Sequence, residues 1–180
     1  MNGEHDGALS YEQQVVEFLR ELGIEKNFKD RKPFLEATEL VSIGSDIYGR
    51  EQKLAPNAAA AWERMKSTTE RGEIVLQVVS AFRSIAYQKQ IIQRKLNAGQ
   101  SIEQILRVSA APGYSEHHTG RAIDITTRNY KPLTEEFERT TAFAWLAQNA
   151  KNFGFTMTYP RDNKFGVIYE PWHWAFQDSN

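Results

Sequence analysis

The sequence predicts an α+β fold, a small and mostly antiparallel sheet flanked by helices. Three observations carry that expectation. Amphipathic stretches with clear start and stop signals come first, over about residues 10–108. Strand-like runs are short and gather late, near 122–126, 155–159 and 167–176. The chain is 180 residues long and 41% hydrophobic, one domain's worth of sequence with enough apolar surface for a sizeable core.

Residues 1–9 read as a tail on a single domain spanning 1–180. Ser10 and Gln13 form a capping box, and Val15, Phe18, Leu19 and Leu22 recur at helical spacing before Gly23, which reads as a C′ residue. Residues 24–36 are polar and turn-rich, and Leu40–Ile47 has room for a short strand. Pro56 suits the first position of a helix that runs through Ala58–Trp62 and Met65 to about Gly72. Ile74–Ser80 is β-branched and too short for a buried helix, so it reads as a strand. Ser84 opens a helix over 85–97 that Gly99 ends, and Ser101 with Gln104 makes a second capping box for 102–108. Ala122–Thr126 is a compact strand. Phe137, Phe143, Leu146 and Ala150 place one helix over 135–152, stopped by Gly154. Phe155–Tyr159 and Val167–Phe176 then read as strands paired through a turn at Arg161–Gly166.

Composition excludes several classes. Lys+Arg is 22 against Asp+Glu 23, so the net charge is -1, with no basic footprint for nucleic acid or an anionic membrane. Cysteine is absent, which removes disulfides, thiol nucleophiles and Cys-based zinc fingers. Ile74–Phe82 is the longest apolar run, far short of the ~18 residues of a membrane span. The first residues show neither a basic n-region nor an apolar h-region, so the chain as written is expected in the cytoplasm, or in the periplasm or outside if a leader was removed.

Of four histidines, His5 sits in the tail, and the others lie in Ser115-Glu-His-His-Thr-Gly-Arg-Ala-Ile-Asp124 and Glu170-Pro-Trp-His173. Two readings stand side by side. His117, Asp124 and His173 make a two-imidazole, one-carboxylate zinc set with a fourth position open, and Glu170 supplies a general base. Alternatively, His173 is a packed histidine between Trp172 and Trp174, and Asp124 a surface residue. Glu170 precedes a proline and is biased to extended backbone, where residues three apart point to opposite faces, so Glu170 and His173 converge only across a turn or bulge. His118 reads as rim or second layer, because neighbours in an extended segment face opposite ways. Gly120 reads as a turn residue that permits close approach.

The pattern Ser115-x-His117-x-x-Gly120-x-Ala122-x-Asp124, followed by Glu170-Pro-Trp-His173, resembles the paired motifs of the VanY-type D-alanyl-D-alanine carboxypeptidases. These belong with lysostaphin and the hedgehog signalling domain to a wider group of zinc peptidases. Val79-Ser-Ala-Phe-Arg83-Ser-Ile-Ala-Tyr-Gln88 is similar to the same family's strand-to-helix turn, and the three motifs occur in family order over about 74–176. The resemblance implies one Zn2+ per chain at the sheet, bound by His117, Asp124 and His173, with Glu170 as catalytic base and Arg83 stabilising the oxyanion or gripping substrate. It implies that Ser115, Gln88 and Tyr159 hold the terminal carboxylate. Two positions depart from the family: Thr158-Tyr159-Pro160 stands where relatives often have Arg-Tyr-Pro, and Trp174-Ala-Phe where an arginine often follows the last histidine.

What the resemblance implies is a D,D-carboxypeptidase removing D-alanine from peptidoglycan stem peptides. Rival readings are an L,D-carboxypeptidase acting on tetrapeptide stems, a phage-type peptidoglycan endopeptidase, and a binding module that has lost activity. Glu170 argues against the last, since a structural zinc site needs no adjacent base. A monomer is the expected state.

Overall fold

A computed structural model describes residues 9–24, 28, 31–165 and 167–178. Residues 1–8 of the expected tail, and Gly166 of the expected turn, lie outside them. In chain order the described residues form α1 (Tyr11–Glu21), β1 (Val41–Ser45), β2 (Glu51–Leu54), α2 (Pro56–Arg71), β3 (Gln77–Ser80), α3 (Ile85–Asn97), α4 (Ile102–Val108), β4 (Ala122–Thr126), α5 (Thr141–Asn149), β5 (Phe155–Met157) and β6 (His173–Phe176). Short 3-10 turns occur at Glu116–Thr119, Glu135–Arg139 and Ala150–Phe153. The α+β expectation holds. The chain divides into two compact units, Met1–Leu35 with Ile85–Ser115, and Glu36–Ser84 with Glu116–Asn180.

The first unit is helical. Both capping boxes form: Ser10 and Gln13 open α1, and Ser101 and Gln104 open α4. Its core gathers Val15 and Leu22 with Ile85, Ile92, Ile105 and Tyr114. Gly113 has φ +85°, and a Cβ there would lie 2.7 Å from Val15 Cγ1, so the helix can pack this close only against a glycine.

The second unit holds the sheets. β1 and β2 form an antiparallel hairpin, and a four-stranded sheet runs β3-β4-β6-β5 with every neighbour antiparallel. All five residues of β4 are buried, as befits an inner strand covered on both faces. Ile123 and Ile125 point into a core shared with Trp62 and Met65 of α2, Leu146 of α5, Phe155 and Trp174. Ala122, Asp124 and Thr126 take the opposite face by strand alternation.

Four expectations need correction. The helix over 135–152 is broken: Thr140 adopts φ -92°, ψ 154°, and its hydroxyl accepts from Phe143 N–H at 3.0 Å, starting α5 afresh. β2 was not foreseen, because Glu51-Gln-Lys-Leu54 carries no alternating apolar pattern and pairs only by hairpin contact with β1. The strands over 74–80 and 167–176 are shorter, limited to Gln77–Ser80 and His173–Phe176. In the latter, Pro171 interrupts the extended run with a turn in which His173 N–H donates to Glu170 O at 3.1 Å. His117 and His118 lie on a 3-10 turn rather than an extended segment.

Candidate metal centre

Asp124 and His173 are brought together by strand register. They are direct partners across the β4–β6 ladder, so both side chains leave the same face of the sheet. His173 Nδ1 lies 3.0 Å from Asp124 Oδ1. His117 arrives from the 3-10 turn before β4, and Gly120, at φ +65°, reverses the chain between them. A Cβ on Gly120 would sit 3.0 Å from Ala55 N and 3.1 Å from Leu40 Cδ2, so the glycine is needed for close approach to the segment before α2. His117 Nε2 reaches 3.2 Å from Asp124 Oδ2, and the two imidazole rings meet edge-on at 4.9 Å. The three ligand atoms lie within 4.8 Å of one another, and all three residues are buried. Asp124 is thus not a surface residue. Trp172 and Trp174 belong to the core, with Trp174 Nε1 donating to Pro171 O.

The hydrogen bonds settle which nitrogens point inward. His117 Nδ1 is 2.6 Å from Ala81 O, a carbonyl that can only accept, so Nδ1 carries the proton and Nε2 offers a lone pair. His117 Nε2 has no aligned hydrogen-bond partner of its own. His173 Nε2 is 2.8 Å from Glu116 Oε2, which leaves Nδ1 facing Asp124. Two imidazole nitrogens and a carboxylate therefore converge, each ring held at its far nitrogen, and this donor set fits a divalent metal such as zinc once His173 Nδ1 gives up its proton.

The electrostatics leave Asp124 ionised and His117 neutral, and place the balancing proton on His173. Burial would raise the Asp124 pKa, but the two adjacent imidazoles outweigh it and hold the carboxyl well below the usual range. Burial and the Arg83 charge push His117 down to about 4, so it is neutral and able to ligate. His173 is raised to about 9: burial opposes its charge, but the Asp124 and Glu116 carboxylates favour it more.

Glu170 sits at the first position of the turn into β6, with its N–H donating to Tyr159 O at 3.0 Å. The intervening turn anticipated for Glu170 and His173 is present. Burial pushes the Glu170 carboxyl up to about 7, in the field of His173, Asp124, Arg83 and Glu116. The Arg83 main chain is bracketed by the histidine turn: its N–H donates to His117 O, and its carbonyl lies 2.6 Å from His118 Nδ1. His118 is fully buried in this contact, which makes it an anchor of the turn rather than a rim residue. The Tyr159 ring lies against His173 at 4.9 Å. Ser115 and Gln88 belong to the first unit and are buried there. Gln88 Nε2 is engaged by Ala110 O at 2.7 Å.

Sequence reasoning missed two residues. Glu116 was only filler between Ser115 and His117, yet its carboxylate lies 2.8 Å from His173 Nε2, 57 positions away. Gln52 was not singled out; its amide bridges Asp46 Oδ2 at 2.9 Å and Ala81 N–H at 2.8 Å, fixing the residue whose carbonyl holds His117. Neither contact leaves a local periodicity that could have revealed it.

This fold and site define the class of the carboxypeptidases. The chain belongs to the VanY D-alanyl-D-alanine carboxypeptidase family, whose model matches residues 51–179. YodJ of Bacillus subtilis (strain 168), which carries a carboxypeptidase name, is 34% identical over 69% of this chain, but the match spans only 46% of that protein's length. The bifunctional D-Ala-D-Ala dipeptidase and D-Ala-D-Ala carboxypeptidase VanXYC of Enterococcus gallinarum is 29% identical, covering 73% of this chain and 68% of that one. Among solved structures, the LdcB LD-carboxypeptidase superposes with a TM-score of 0.69 at 31% identity, over 78% of this chain and 69% of its own. The D,D-dipeptidase VanXYg, solved with a D-Ala-D-Ala phosphinate analogue, gives 0.66 at 26% identity, over 81% and 59%. Among the described residues, no helix is long and apolar enough to cross a membrane.

Proposed function

We propose that this chain is a zinc carboxypeptidase that removes the C-terminal D-alanine of peptidoglycan stem peptides, with one zinc per chain held by His117 Nε2, Asp124 and His173 Nδ1. The convergence of those three ligand atoms, with each imidazole proton drawn away at the far nitrogen, carries the reading. Zinc at such a site polarises the scissile carbonyl and lowers the pKa of water to about 7.

The chain's own residues supply the rest. Glu170 takes a proton from the attacking water at a carboxylate oxygen and returns it to the leaving amine. Its carboxyl, lifted to about 7 by burial, suits transfer in both directions near neutral pH. Glu116 is a poorer base: burial would raise its carboxyl, but the His173 hydrogen bond to one of its oxygens helps hold it below the usual range. Arg83 offers a cation to the oxyanion from a main chain pinned on both sides. Tyr159 is assigned to the substrate carboxylate as a hydroxyl donor.

A second reading, L,D-carboxypeptidase activity on tetrapeptide stems, is favoured by the likeness to LdcB and to the L,D-carboxypeptidase DacB, the latter at 28% identity and a TM-score of 0.59. Incubating the zinc-loaded protein with synthetic tri-, tetra- and pentapeptide stems, with released amino acids identified by mass spectrometry, decides between them. D-alanine from the pentapeptide alone supports the D,D reading, and D-alanine from the tetrapeptide the L,D reading. Cleavage inside the stem would overturn both.

A further inference from the structure

We propose that Glu116 is a positioning residue for the metal: as hydrogen-bond acceptor to His173 Nε2–H, it fixes the tautomer and ring orientation that leave Nδ1 free to ligate. The inference rests on the zinc reading above, and it concerns a residue that is neither a ligand nor the base in that reading.

A neutral imidazole carries one proton on either of two nitrogens, and a metal can bind only the other. The two ligand histidines settle this choice by different means. His117 gives its Nδ1 proton to a main-chain carbonyl, Ala81 O, at 2.6 Å. His173 has a carboxylate instead, Glu116 Oε2 at 2.8 Å from Nε2. A charged acceptor holds the proton more strongly than a neutral one and makes the ring a better donor at its opposite nitrogen. The ring cannot easily turn over, because its Nδ1 edge faces Asp124 at 3.0 Å and Tyr159 lies along it at 4.9 Å.

Geometry excludes one other role. Glu116 Oε2 addresses the edge of the His173 ring away from Asp124, so the imidazole stands between it and the point where the three ligand atoms converge. It is not a fourth ligand. Sequence adjacency then acquires a meaning: one 3-10 turn delivers His117 to the metal and Glu116 to the other histidine, so both imidazoles are set by a single rigid piece of chain.

Zinc affinity, measured by competition with a chromophoric chelator, tests this on wild type, Glu116→Ala, Glu116→Gln and His117→Ala. Glu116→Ala should still bind about one zinc but 10–100-fold more weakly, the usual effect of removing an outer partner of a ligand. Glu116→Gln keeps an acceptor oxygen and should recover much of the loss. Long-range proton–nitrogen NMR of the zinc-loaded wild type should show the His173 proton on Nε2, a reading that needs no variant to fold. Wild-type affinity in Glu116→Ala, complete loss of zinc as in His117→Ala, a Gln variant no better than Ala, or a proton on Nδ1 would each overturn the proposal. Failure of the zinc reading itself looks different: wild type would then bind no zinc.

Discussion

Asp124 sits where three demands meet: it is buried, it is charged, and each of its oxygens faces an imidazole nitrogen. A buried carboxylate without counter-charge is costly, so the pocket needs either a cation or a protonated histidine. In the metal-free protein that proton is on His173, whose pKa stands near 9. Raised above its ordinary value of about 6.5, His173 contributes stability that is fully present below about pH 6.5 and lost as pH rises through about 9. The melting temperature of the chelated protein should therefore fall between about pH 7 and 9, and His173→Gln should flatten that fall. Zinc must displace the same proton, so its apparent affinity, by chelator competition, should climb over the same interval. Glu170→Gln is nearly isosteric but cannot accept a proton. It should retain zinc and melting temperature while turnover drops at least ~10²-fold; near-normal activity would assign the proton to another group, and loss of zinc would make Glu170 a ligand. The residue types of this centre were legible in the sequence because metal chemistry admits few donors. Glu116 and Gln52 were not, because carboxylates and amides are common and only a folded contact distinguishes these two.

At the scale of elements, the legible features were those written into adjacent residues. The capping boxes at Ser10 and Ser101, Pro56 at the head of α2 and Gly154 closing the turn before β5 all stand where local hydrogen bonding requires them. The break at Thr140 was hidden, because the apolar spacing of Phe137, Phe143 and Leu146 runs through it. The threonine hydroxyl both donates to Phe137 O and caps Phe143 N–H. Thr140→Ala should lower stability by about 1 kcal/mol in urea unfolding. Gln52→Leu removes the bridge between Asp46 and the Ala81 N–H without emptying the space. It should weaken zinc binding severalfold in the chelator assay, since Ala81 also carries the carbonyl that sets the His117 tautomer. Gly120→Ala meets both a positive φ and a 3.0 Å approach to Ala55 N, so thermal unfolding should come well below wild type.

Over the whole molecule, two core clusters correspond to the two compact units, one around Val15, Ile92 and Ile105, the other around Trp62, Met65, Ile123 and Leu146. Leu146 is 1% exposed, and Leu146→Ala should cost about 2–5 kcal/mol in chemical denaturation, lowering the melting temperature of the unit that carries the candidate metal centre. An unchanged unfolding curve would show that α5 does not bear on that core. The sequence by itself determined the α+β class, the helix starts and the candidate donor types, because helical periodicity, capping and donor chemistry are each encoded within a few neighbouring residues. Only the tertiary structure decided the register that places Asp124 opposite His173, the turn that lets Glu170 precede it, and the pairing of Glu116 with a histidine 57 residues on. Those depend on which strands meet and at what offset, and a one-residue slip of β4 against β6 would send Asp124 and His173 to opposite faces.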